Sequence, residues 1–546
     1  MPKKLVIIGG VAGGANVATR ARRLSEDTEI TIIERGPYVS FANCGLPYHI
    51  GGEIPKRDKL LIHTPQSIEE RFGVNVYINT EAIFINRTER KLEVRTGGET
   101  KSIPYDNLVI ATGAAAIKPP LSGISGGGVF ALRDMDDMDN IIQWIAEKNV
   151  SKAIVVGGGY IGVEVAEQLA HLKKEVFLVE GNKQILAPLD PEMAGIAESE
   201  LKQHMKLLLS SRLKSIDLDA ENNACGICLE NGEKISGQIV ILGLGVVPEV
   251  TLAKNAGLEL GTKGGIKVNE FLQTSDPLIY AVGDAIEVRN FVTGVPALIA
   301  LAGPANRQGR MAADNIFLDQ KKKYEGTLGT AVVRVFSKTA ACTGANEKTL
   351  KSLNIPYEKL YLFSNSHAGY FPGAKEIAIK ILFSPEQRKL LGAQAVGEVG
   401  ADKRIDIFAT AIKGGLTIDE IAELELCYAP PVGSAKDPVN MAGMMMQNVA
   451  DGLVSVVGPA DLSGYILDVR DEAEVEKLGS MPGSTNIPLN DIRDRISEIP
   501  KDRKINVYCQ SGQRSYNAVR KLMQLGYDAV NITGAYKAYL LFNQTP

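Results

Sequence analysis

The chain has 546 residues, which is too many for a single hydrophobic core and predicts three or four domains. Its 45% hydrophobic and 23% charged residues are ordinary for a globular protein, and the formal charge of −4 argues against nucleic acid as a partner. No apolar segment approaches the roughly 18 residues of a membrane-spanning helix, and the apolar run before Gly9 is too short for a signal peptide. We therefore expect a cytoplasmic protein without a membrane partner, whose six scattered cysteines are thiols in a reducing compartment.

The first predicted elements are a strand at 5–8, a glycine turn at 9–14 and a helix at 15–24. The next predicted strand ends on Glu34, about 20 residues past the turn. Small residues let a pyrophosphate approach the helix N-terminus, and Glu34 can accept hydrogen bonds from a ribose. The middle glycine of the G-x-G-x-x-G fingerprint is replaced by Val11, so a glycine-rich turn without a ligand remains an alternative. The candidate contacts to this dinucleotide are Gly9, Val11, Ala12, Gly13, Gly14, Glu34 and Arg35.

A second copy of the pattern follows another Val-rich strand, and its next strand, 175–179, leads to Glu180. Two such units in one chain predict two dinucleotides and electron transfer between them. An acidic residue at this strand end favours NADH over NADPH, although the nearby Lys183 weakens that preference. The candidate contacts here are Gly157, Gly159, Tyr160, Ile161, Gly162, Glu164 and Glu180.

Three shorter motifs complete this part of the chain: Ala111-Thr112-Gly113, a glycine-rich segment with Gly245, and Gly283-Asp284 after a strand. A carboxylate beside a helix N-terminus suits a polyol or phosphate, although Gly-Asp alone is more often a turn or N-cap. In order, the motifs resemble the two-dinucleotide disulfide reductase superfamily over residues 1–445. The resemblance implies that the second glycine motif binds NAD(P)H and that FAD contacts the segments of Thr112, Gly113, Gly283 and Asp284, with Gly245 a further cofactor candidate.

The segment 38–49 contains one cysteine, Cys44, where many members of that superfamily carry C-x₄-C. The residue five positions later is His49, so the oxidised form must be a mixed disulfide with a small thiol or a sulfenic acid. The sequence SFANCGLPY resembles that of coenzyme A disulfide reductases and their persulfide-reducing relatives. The resemblance implies that Cys44 stores an electron pair as a mixed disulfide with coenzyme A, and a helix starting here would favour the thiolate. The alternative is a buried structural cysteine.

Basic residues on the first helix are the candidates for binding coenzyme A, because the matching face of relatives meets its phosphates. They could instead simply complement the C-terminus of the helix. The candidate substrate-binding residues in this part are Asn16, Arg20, Arg23, Ser40, Asn43 and Arg71.

From about residue 326 the sequence resembles the dimerisation domain of the superfamily, which implies a homodimer. Tyr370 and Tyr428 match tyrosines that lie near the redox cysteine across the dimer interface in coenzyme A disulfide reductases. A phenol can donate a proton to a departing thiolate, so both are candidate catalytic residues; packing at the interface is the alternative. Lys436 matches a substrate-contacting lysine, but an ordinary surface lysine is the competing interpretation.

The C-terminal region predicts a further α/β unit with a strand that leads into Cys509 and a loop ending at Arg514. Backbone N–H groups of such a loop hold an anion and stabilise a thiolate, and Arg514 adds positive charge for a substrate. This region resembles a single rhodanese domain, which implies that Cys509 carries sulfur as a persulfide. A phosphatase loop is the alternative, but it would usually have one more residue before its arginine. The loop differs from thiosulfate-type rhodaneses, so the sulfur donor is open.

The remaining cysteines are predicted to be structural. Cys225 and Cys228 lack a second pair or a histidine partner, and Cys342 and Cys427 are expected to be interior thiols. The histidines show no ligand spacing, so no metal site is predicted.

The predicted fold is α/β, with two Rossmann-like FAD and NAD(P)H domains, an α+β dimerisation domain and a C-terminal α/β rhodanese domain. The expected ranges are 1–112 with 246–325 for FAD, 113–245 for NAD(P)H, 326–445 for dimerisation, 446–458 as linker and 459–546 for rhodanese. The predicted function is NAD(P)H-dependent reduction of coenzyme A disulfide, coenzyme A persulfide or polysulfide through Cys44, coupled to sulfur handling at Cys509. Two rivals remain. One is a flavin NADH oxidase or peroxidase that cycles Cys44 through sulfenic acid, and the other is a sulfur-relay protein whose reductase half only regenerates the Cys509 thiol.

Overall fold

The computed structural model describes residues 2–319 and 321–544, which divide into two units. The first unit comprises the residues up to 182 together with 205–329, and the second comprises 183–204 together with the residues from 330 onward. Residues 1, 320, 545 and 546, which fall inside predicted domain ranges, lie outside the described residues.

Two five-stranded parallel sheets form the centre of the first unit. Their strands are short, almost wholly apolar and buried, as expected for parallel sheets covered on both faces. In spatial order the first sheet consists of Ile279–Ala281, Asn107–Ile110, Lys4–Ile8, Glu29–Ile33 and Asn75–Tyr77. The second consists of Lys206–Leu208, Glu175–Val179, Lys152–Val156, Ile239–Leu242 and Val129–Ala131. Both contain the predicted strand–turn–helix units.

Smaller sheets and short helices surround these two sheets. The further strands are Thr80–Asn86, Lys91–Thr96 and Glu99–Pro104; Leu213–Leu218, Ala224–Leu229 and Lys234–Ser236; Ala114–Ala116 with Val246–Pro248; and Ile266–Lys267, Ile286–Arg289 and Pro296–Ala297. The α-helices are Gly13–Arg22, Leu46–Ile50, Pro65–Phe72, Met135–Glu147, Tyr160–His171, Thr251–Asn255 and Ala302–Phe317, and the 3₁₀ helices are Asn43–Gly45, Arg57–Leu60 and Gly283–Ala285. The first helix therefore begins two residues before the predicted start.

The second unit contains a five-stranded antiparallel sheet with helices packed against it. Its strands in spatial order are Ala331–Val335, Lys338–Gly344, Lys389–Gly397, Glu376–Ser384 and Glu358–Asn365. The helices are Pro191–Leu201, Glu347–Ser352, Ala401–Gly414, Ile418–Glu423 and Pro438–Ala450.

The same unit contains a five-stranded parallel sheet in the C-terminal region. Its strands in spatial order are Val456–Val457, Ala529–Ile532, Ile505–Tyr508, Tyr465–Asp468 and Ser484–Asn486. The α-helices here are Glu472–Leu478, Gln513–Gln524 and Ala535–Gln544, and the 3₁₀ helices are Asp491–Arg493 and Ile496–Glu498. Because the expected linker at 446–458 holds the end of a helix and a strand of this sheet, it is an ordered connection.

A buried ionic cluster explains why residues 183–204 pack with the second unit, although the sequence placed them in the 113–245 domain. The Lys380 ammonium is fully buried and forms ion pairs with Asp190, Glu192 and Glu347. Burying an ammonium is unfavourable unless it is paired, so the three carboxylates hold the segment against the antiparallel sheet. No local sequence pattern shows these pairings.

Candidate functional site

The first glycine turn closes tightly against the strand beside it. Gly9 has φ of 96°, and a Cβ there would lie 2.3 Å from the carbonyl oxygen of Ala111. A Cβ on Gly14 would lie 1.9 Å from the carbonyl oxygen of Gly9. Both positions therefore require glycine, and the turn brings the start of the helix Gly13–Arg22 to the carboxyl end of the sheet.

Glu34 lies where the sequence predicted it, at the carboxyl end of the next strand. Its two carboxylate oxygens accept hydrogen bonds from the backbone N–H groups of Gly10 and Gly36, both at 2.9 Å. Ala12, which precedes the helix, has φ of 36° and ψ of −96°, outside the regions that side chains favour. A fixed carboxylate beside a strained turn and a helix N-terminus fits the ribose and pyrophosphate of a dinucleotide. Arg35 is exposed beside it.

The second glycine turn repeats this geometry closely. Gly157 has φ of 112°, and its added Cβ would lie 2.3 Å from the carbonyl oxygen of Gly243, while a Cβ on Gly162 would lie 1.9 Å from that of Gly157. Glu180 is buried and accepts hydrogen bonds of 2.7 Å from the backbone N–H groups of Gly158 and Asn182. The residues thus fit a second dinucleotide. Gly243, which faces Gly157 as Ala111 faces Gly9, was missed because its partner lies far away in the sequence.

The middle position of the fingerprint behaves differently from the other two. Gly159 has φ of −74°, and the nearest heavy atom to an added Cβ there is 4.0 Å away. The protein itself therefore tolerates a side chain at this position. This explains why Val11 can stand at the corresponding position of the first turn without disturbing it.

The remaining predicted cofactor residues lie in turns between the strands of the first unit. Thr112 donates its hydroxyl hydrogen to the carbonyl of Glu249 at 2.7 Å, and Gly113 and Gly245 have φ of 70° and 93°. Tyr160 and Ile161 begin the helix that follows the second glycine turn, and Glu164 lies at the start of its second turn.

Asp284 lies in a short 3₁₀ helix, where burial raises the pKa of its carboxyl group while Arg133 opposes the rise. The Arg133 guanidinium is 3.5 Å from the Asp284 carboxylate and donates to the carbonyl of Ala114 at 2.9 Å. No motif marks Arg133 in the sequence, and only the fold shows its place beside Asp284.

Cys44 is an exposed thiol in the 3₁₀ helix Asn43–Gly45, which continues into the helix Leu46–Ile50. The predicted helix is confirmed, but the expected depression of the thiol pKa is wrong. Partial burial of the sulfur raises the pKa of Cys44, the carboxylates of Glu164 and Asp284 raise it further, and Arg133 lowers it. Burial disfavours the charged thiolate, and the like charges of the two carboxylates add to that effect.

Contacts around Cys44 fix its helix within the first unit. The Asn43 side-chain oxygen accepts from the backbone N–H of Cys44 at 3.1 Å, and the Tyr48 hydroxyl donates to Glu164 at 3.1 Å. Ser40 has φ of 50° and accepts at its carbonyl from the N–H of Ile62. The active-site segment is therefore held by hydrogen bonds on both sides of the cysteine.

The structure distinguishes among the residues predicted to bind coenzyme A. The Arg20 guanidinium forms an ion pair of 2.6 Å with buried Asp314, which weakens its candidacy as a phosphate ligand. Asn16 donates to the carbonyl of Ala12 at 3.1 Å and also bonds the Asn306 side chain. By contrast, the side chains of Arg23, Arg71 and Lys436 are exposed.

The two predicted tyrosines meet within the second unit. Their hydroxyl oxygens are 2.8 Å apart, with Tyr370 77% and Tyr428 46% exposed. The hydrogen bond with Tyr428 raises the pKa of Tyr370, which favours the protonated form of the Tyr370 phenol. Such a pair can donate a proton while one phenol stabilises the other.

Arg404 holds the tyrosine segments and was not predicted. Its buried guanidinium donates to the Ser366 carbonyl at 3.0 Å and forms an ion pair of 2.7 Å with Asp437. Ser366 begins the loop that carries Tyr370, and Asp437 caps the helix after the loop of Lys436. The sequence does not show this link because the three residues belong to separate elements.

Cys509 lies at the head of the predicted loop, between the strand Ile505–Tyr508 and the helix Gln513–Gln524. Its sulfur accepts hydrogen bonds from the backbone N–H of Gly512 at 3.2 Å and the Ser515 hydroxyl at 3.6 Å. Arg514 instead forms a bidentate ion pair with Glu474, with a third contact of 3.3 Å to Asp471. The cradle for the thiolate is present, but its expected cation is already paired.

The other cysteines differ in part from the expectation. Cys427 is exposed, so the prediction of an interior thiol is wrong there, whereas Cys342 is buried as expected. Cys225 and Cys228 lie three residues apart on one strand and therefore point to opposite faces.

His171, which shows no ligand spacing in the sequence, lies 3.3 Å from Glu53 and near Glu167 in the fold.

Within residues 2–319 and 321–544, no helix is long and apolar enough to cross a bilayer.

Comparison with known proteins gives three family matches. Residues 3–309 match the pyridine nucleotide-disulphide oxidoreductase family, 330–438 its dimerisation domain, and 454–541 the rhodanese-like domain. The coenzyme A disulfide reductase of Staphylococcus haemolyticus is 35% identical over 81% of this chain and 98% of its own length. The NADH oxidase of Methanocaldococcus jannaschii is also 35% identical, over 80% of this chain and 97% of its own length.

Two solved structures resemble the whole chain. Reduced Bacillus anthracis CoADR-RHD is 46% identical, with a TM-score of 0.97 over 100% of this chain and 99% of that one. An NAD-dependent persulfide reductase from A. fulgidus is 35% identical, with a TM-score of 0.91 over 98% of this chain and 100% of that one.

Proposed function

Because this chain belongs to the pyridine nucleotide-disulphide oxidoreductase family, we propose that it is an FAD-dependent reductase that uses NAD(P)H to reduce coenzyme A disulfide, coenzyme A persulfide or polysulfide. A rhodanese domain at its C-terminus handles sulfur at Cys509. Catalysis uses one protein thiol, Cys44, which forms a mixed disulfide with coenzyme A. The similarity to a coenzyme A disulfide reductase over 81% of this chain, and to CoADR-RHD over its whole length, supports this assignment.

The observation that carries the proposal is that the exposed thiol of Cys44 has no second cysteine at the C-x₄-C position. The residue at the C-x₄-C position is His49, whose ring nitrogen lies 2.5 Å from the Ile54 carbonyl, and all six cysteines are free. Cys44 must therefore take its disulfide partner from a diffusible thiol. Free thiols also support a reducing compartment, and the formal charge of −4 gives no basic surplus, so we infer a cytoplasmic enzyme without a nucleic-acid or membrane partner.

The chain's own residues bind and orient the two cofactors. Glu34 and Glu180 would each accept hydrogen bonds from a ribose, and the two glycine turns would receive the pyrophosphates. Asp284, held by Arg133, would contact the FAD beside Cys44. When bound, FAD and NAD(P)H supply the electron pair. The carboxylate of Glu180 supports NADH as the preferred donor.

Cys44 carries out the sulfur chemistry. Its thiolate attacks the coenzyme A sulfur of the persulfide, the S–S bond breaks, and hydrosulfide leaves as Cys44–S–S–CoA forms. Two electrons then cleave this bond and return the Cys44 and coenzyme A thiolates. The balance is NAD(P)H, one proton and CoA–S–SH giving NAD(P)⁺, CoA–SH and H₂S. With coenzyme A disulfide the leaving group is a second coenzyme A thiolate.

The remaining candidate residues position the substrate or donate protons. Arg23, Ser40 and Asn43 are our first candidates for coenzyme A contacts, since Arg20 is paired with Asp314. In the proposed homodimer, Tyr370 and Tyr428 of one protomer protonate the thiolate that leaves Cys44 of the other. Their mutual hydrogen bond supports this role because it raises the pKa of Tyr370 and so favours the protonated, proton-donating form of that phenol.

Replacement of the thiol tests the proposal. Cys44→Ser should still bind FAD, and NADH should still bleach the flavin absorbance, while steady-state reduction of coenzyme A disulfide and persulfide falls at least about a thousandfold. Cys225→Ser, which removes another exposed thiol, is the control and should retain full activity. Disulfide reduction by the Cys44→Ser variant would refute the assignment.

An NADH oxidase or peroxidase is the second candidate, favoured by the similarity to a protein of that name. In that reaction Cys44 cycles through sulfenic acid and needs no coenzyme A. Titration of the purified enzyme for disulfide-bound coenzyme A separates the two: the reductase should carry it, and the oxidase should not.

A sulfur relay that merely regenerates the Cys509 thiol is the other alternative. In that case Cys509→Ser would abolish turnover of small free persulfides. The proposed reductase should instead keep substantial activity, because Cys44 attacks such substrates directly.

A further inference from the structure

Each cation that borders the Cys509 loop has its own carboxylate partner. Arg470 is fully buried, donates to the Gln510 side-chain oxygen of the loop at 3.4 Å and forms a 2.6 Å ion pair with Asp468. Arg514 at the end of the loop pairs with Glu474 and Asp471.

A third cation lies beside the loop. Lys537 donates its backbone N–H to the carbonyl of Gln510, and its ammonium pairs with Glu376. These three cations pair with four carboxylates (Asp468, Asp471, Glu474 and Glu376), so the seven side chains together carry one net negative charge before the thiolate is counted.

The pairing of Arg514 is specific in its geometry. Its Nη1 and Nη2 atoms lie 2.5 and 2.7 Å from the two oxygens of Glu474, so the guanidinium forms two parallel hydrogen bonds with the carboxylate. The hydrogen bonds from Arg514 lower the pKa of Glu474, so this carboxylate is charged at neutral pH. Glu474 also accepts from the backbone N–H of Asp471, which fixes it at the start of its helix. The guanidinium is thus held away from a role as a free anion ligand.

Within the described part of the chain, the two hydrogen-bond donors that contact the Cys509 sulfur are both uncharged. They are the N–H of Gly512 and the hydroxyl of Ser515. Dipoles of this kind stabilise a single negative charge on the sulfur. They do not offset the charge of a doubly negative donor that approaches a thiolate among carboxylates.

We propose that Glu474, by neutralising Arg514, makes Cys509 selective for sulfur donors of low charge, namely persulfides with an uncharged organic part, over dianionic donors such as thiosulfate. This inference rests on the proposed sulfur handling at Cys509 and names its substrate class. The Cys509 thiolate attacks the terminal sulfur of R–S–SH, the S–S bond breaks, RS⁻ leaves, and a Cys509 persulfide forms. With thiosulfate the same attack would release sulfite. Glu474 is a positioning residue, because it acts through Arg514.

The test measures sulfur loading of Cys509 in the reduced full-length chain without nicotinamide. 2-Hydroxyethyl persulfide, whose organic part carries no charge, and thiosulfate serve as donors, and peptide mass spectrometry follows the gain of one sulfur on the Cys509 peptide. We expect the wild type to load from the persulfide at least about a hundredfold faster than from thiosulfate. Glu474→Gln should lower this ratio about tenfold, and adding Asp471→Asn should lower it further, because each change removes a negative charge.

Both variants are chosen to keep the fold. Glutamine at the third helix position and asparagine at the N-cap preserve the capping box of this helix. Glu498→Gln, which breaks an exposed pair with Arg495 in the same domain, is the matched control and should leave the ratio unchanged. Added KCl should speed thiosulfate loading more in the wild type than in Glu474→Gln, a response that a purely structural role would not produce.

Three results would overturn the inference. They are equal loading of the wild type from both donors, a ratio unchanged in Glu474→Gln, or no loading of Cys509 from either donor. Reduction of coenzyme A disulfide by NADH depends on Cys44 and is measured separately. If the loading experiment contradicts the role of Glu474 while the reduction of coenzyme A disulfide proceeds, the proposed reductase function still stands.

Discussion

At the scale of single residues, the acidic surroundings of Cys44 set the conditions for its chemistry. Burial and the carboxylates of Glu164 and Asp284 raise the pKa of this thiol, and Arg133 opposes them. A thiol with a raised pKa is mostly protonated at neutral pH, so its nucleophilic form appears only as the pH rises. The proposed reaction therefore depends on the charges beside the cysteine.

Glu164→Gln removes one of these negative charges and should lower the pKa of Cys44. The rate at which a chromogenic disulfide modifies Cys44 should rise with pH in both proteins and reach its plateau at a lower pH in the variant. Peptide mapping assigns the modification to Cys44. Glu175→Gln, at an exposed carboxylate paired with Lys206, should leave the profile unmoved. A Glu164→Gln profile that coincides with the wild type would contradict this account.

The sequence predicts residues whose chemistry is local, but it does not show the ion-pair partners of residues whose partners are distant. Glu34 and Glu180 follow from the spacing of glycine turns and strand ends, and both take the expected positions. Arg20 pairs with Asp314, 294 residues away, and Arg514 pairs with Glu474, so both predicted anion ligands were committed elsewhere. No local motif shows such pairs.

At the scale of elements, the two glycine turns are close geometric repeats. In each, the third glycine would push its Cβ to 1.9 Å from the carbonyl oxygen of the first. The middle position is open in the second turn and carries Val11 in the first. Although Val11 replaces the middle glycine, the first turn therefore retains the close backbone contacts of Gly9 and Gly14 that determine its shape.

Gly162→Ala should disturb the second turn alone. Overpacking of this kind should destabilise the protein by about 1–3 kcal/mol and raise the KM for NADH, while FAD content by absorbance stays unchanged. Gly159→Ala is the companion variant, and its melting temperature should equal that of the wild type because space is available. Equal melting temperatures for Gly162→Ala and the wild type would show that the contact is absent.

Arg404 links three elements that carry the tyrosine pair. Arg404→Met leaves Asp437 buried without its partner, which should destabilise the protein by about 3 kcal/mol and lower reductase activity. Calorimetry measures the loss, and Lys403→Met on the same helix should change little because its side chain is partly exposed. A melting temperature of Arg404→Met equal to that of the wild type would contradict the role of Arg404 in linking these elements.

At the scale of the whole molecule, domain order was predictable and domain limits were less so. The strand–turn–helix repeats and the Cys509 loop each follow from periodic local patterns, and the three family matches cover the corresponding regions. The packing of residues 183–204 with the second unit depends on Lys380, which meets its three carboxylates only after folding. The tyrosine pair was found through resemblance, because nothing in the local sequence joins residues 58 positions apart.

The central claim is that Cys44 borrows coenzyme A as its redox partner. Intact and peptide mass spectrometry of the purified, air-oxidised chain tests it most directly. We predict a disulfide-linked coenzyme A on the Cys44 peptide, lost after one equivalent of NADH and restored by coenzyme A disulfide. A Cys44 peptide that carries only a sulfenic acid, or that is linked to another protein cysteine, would contradict the account.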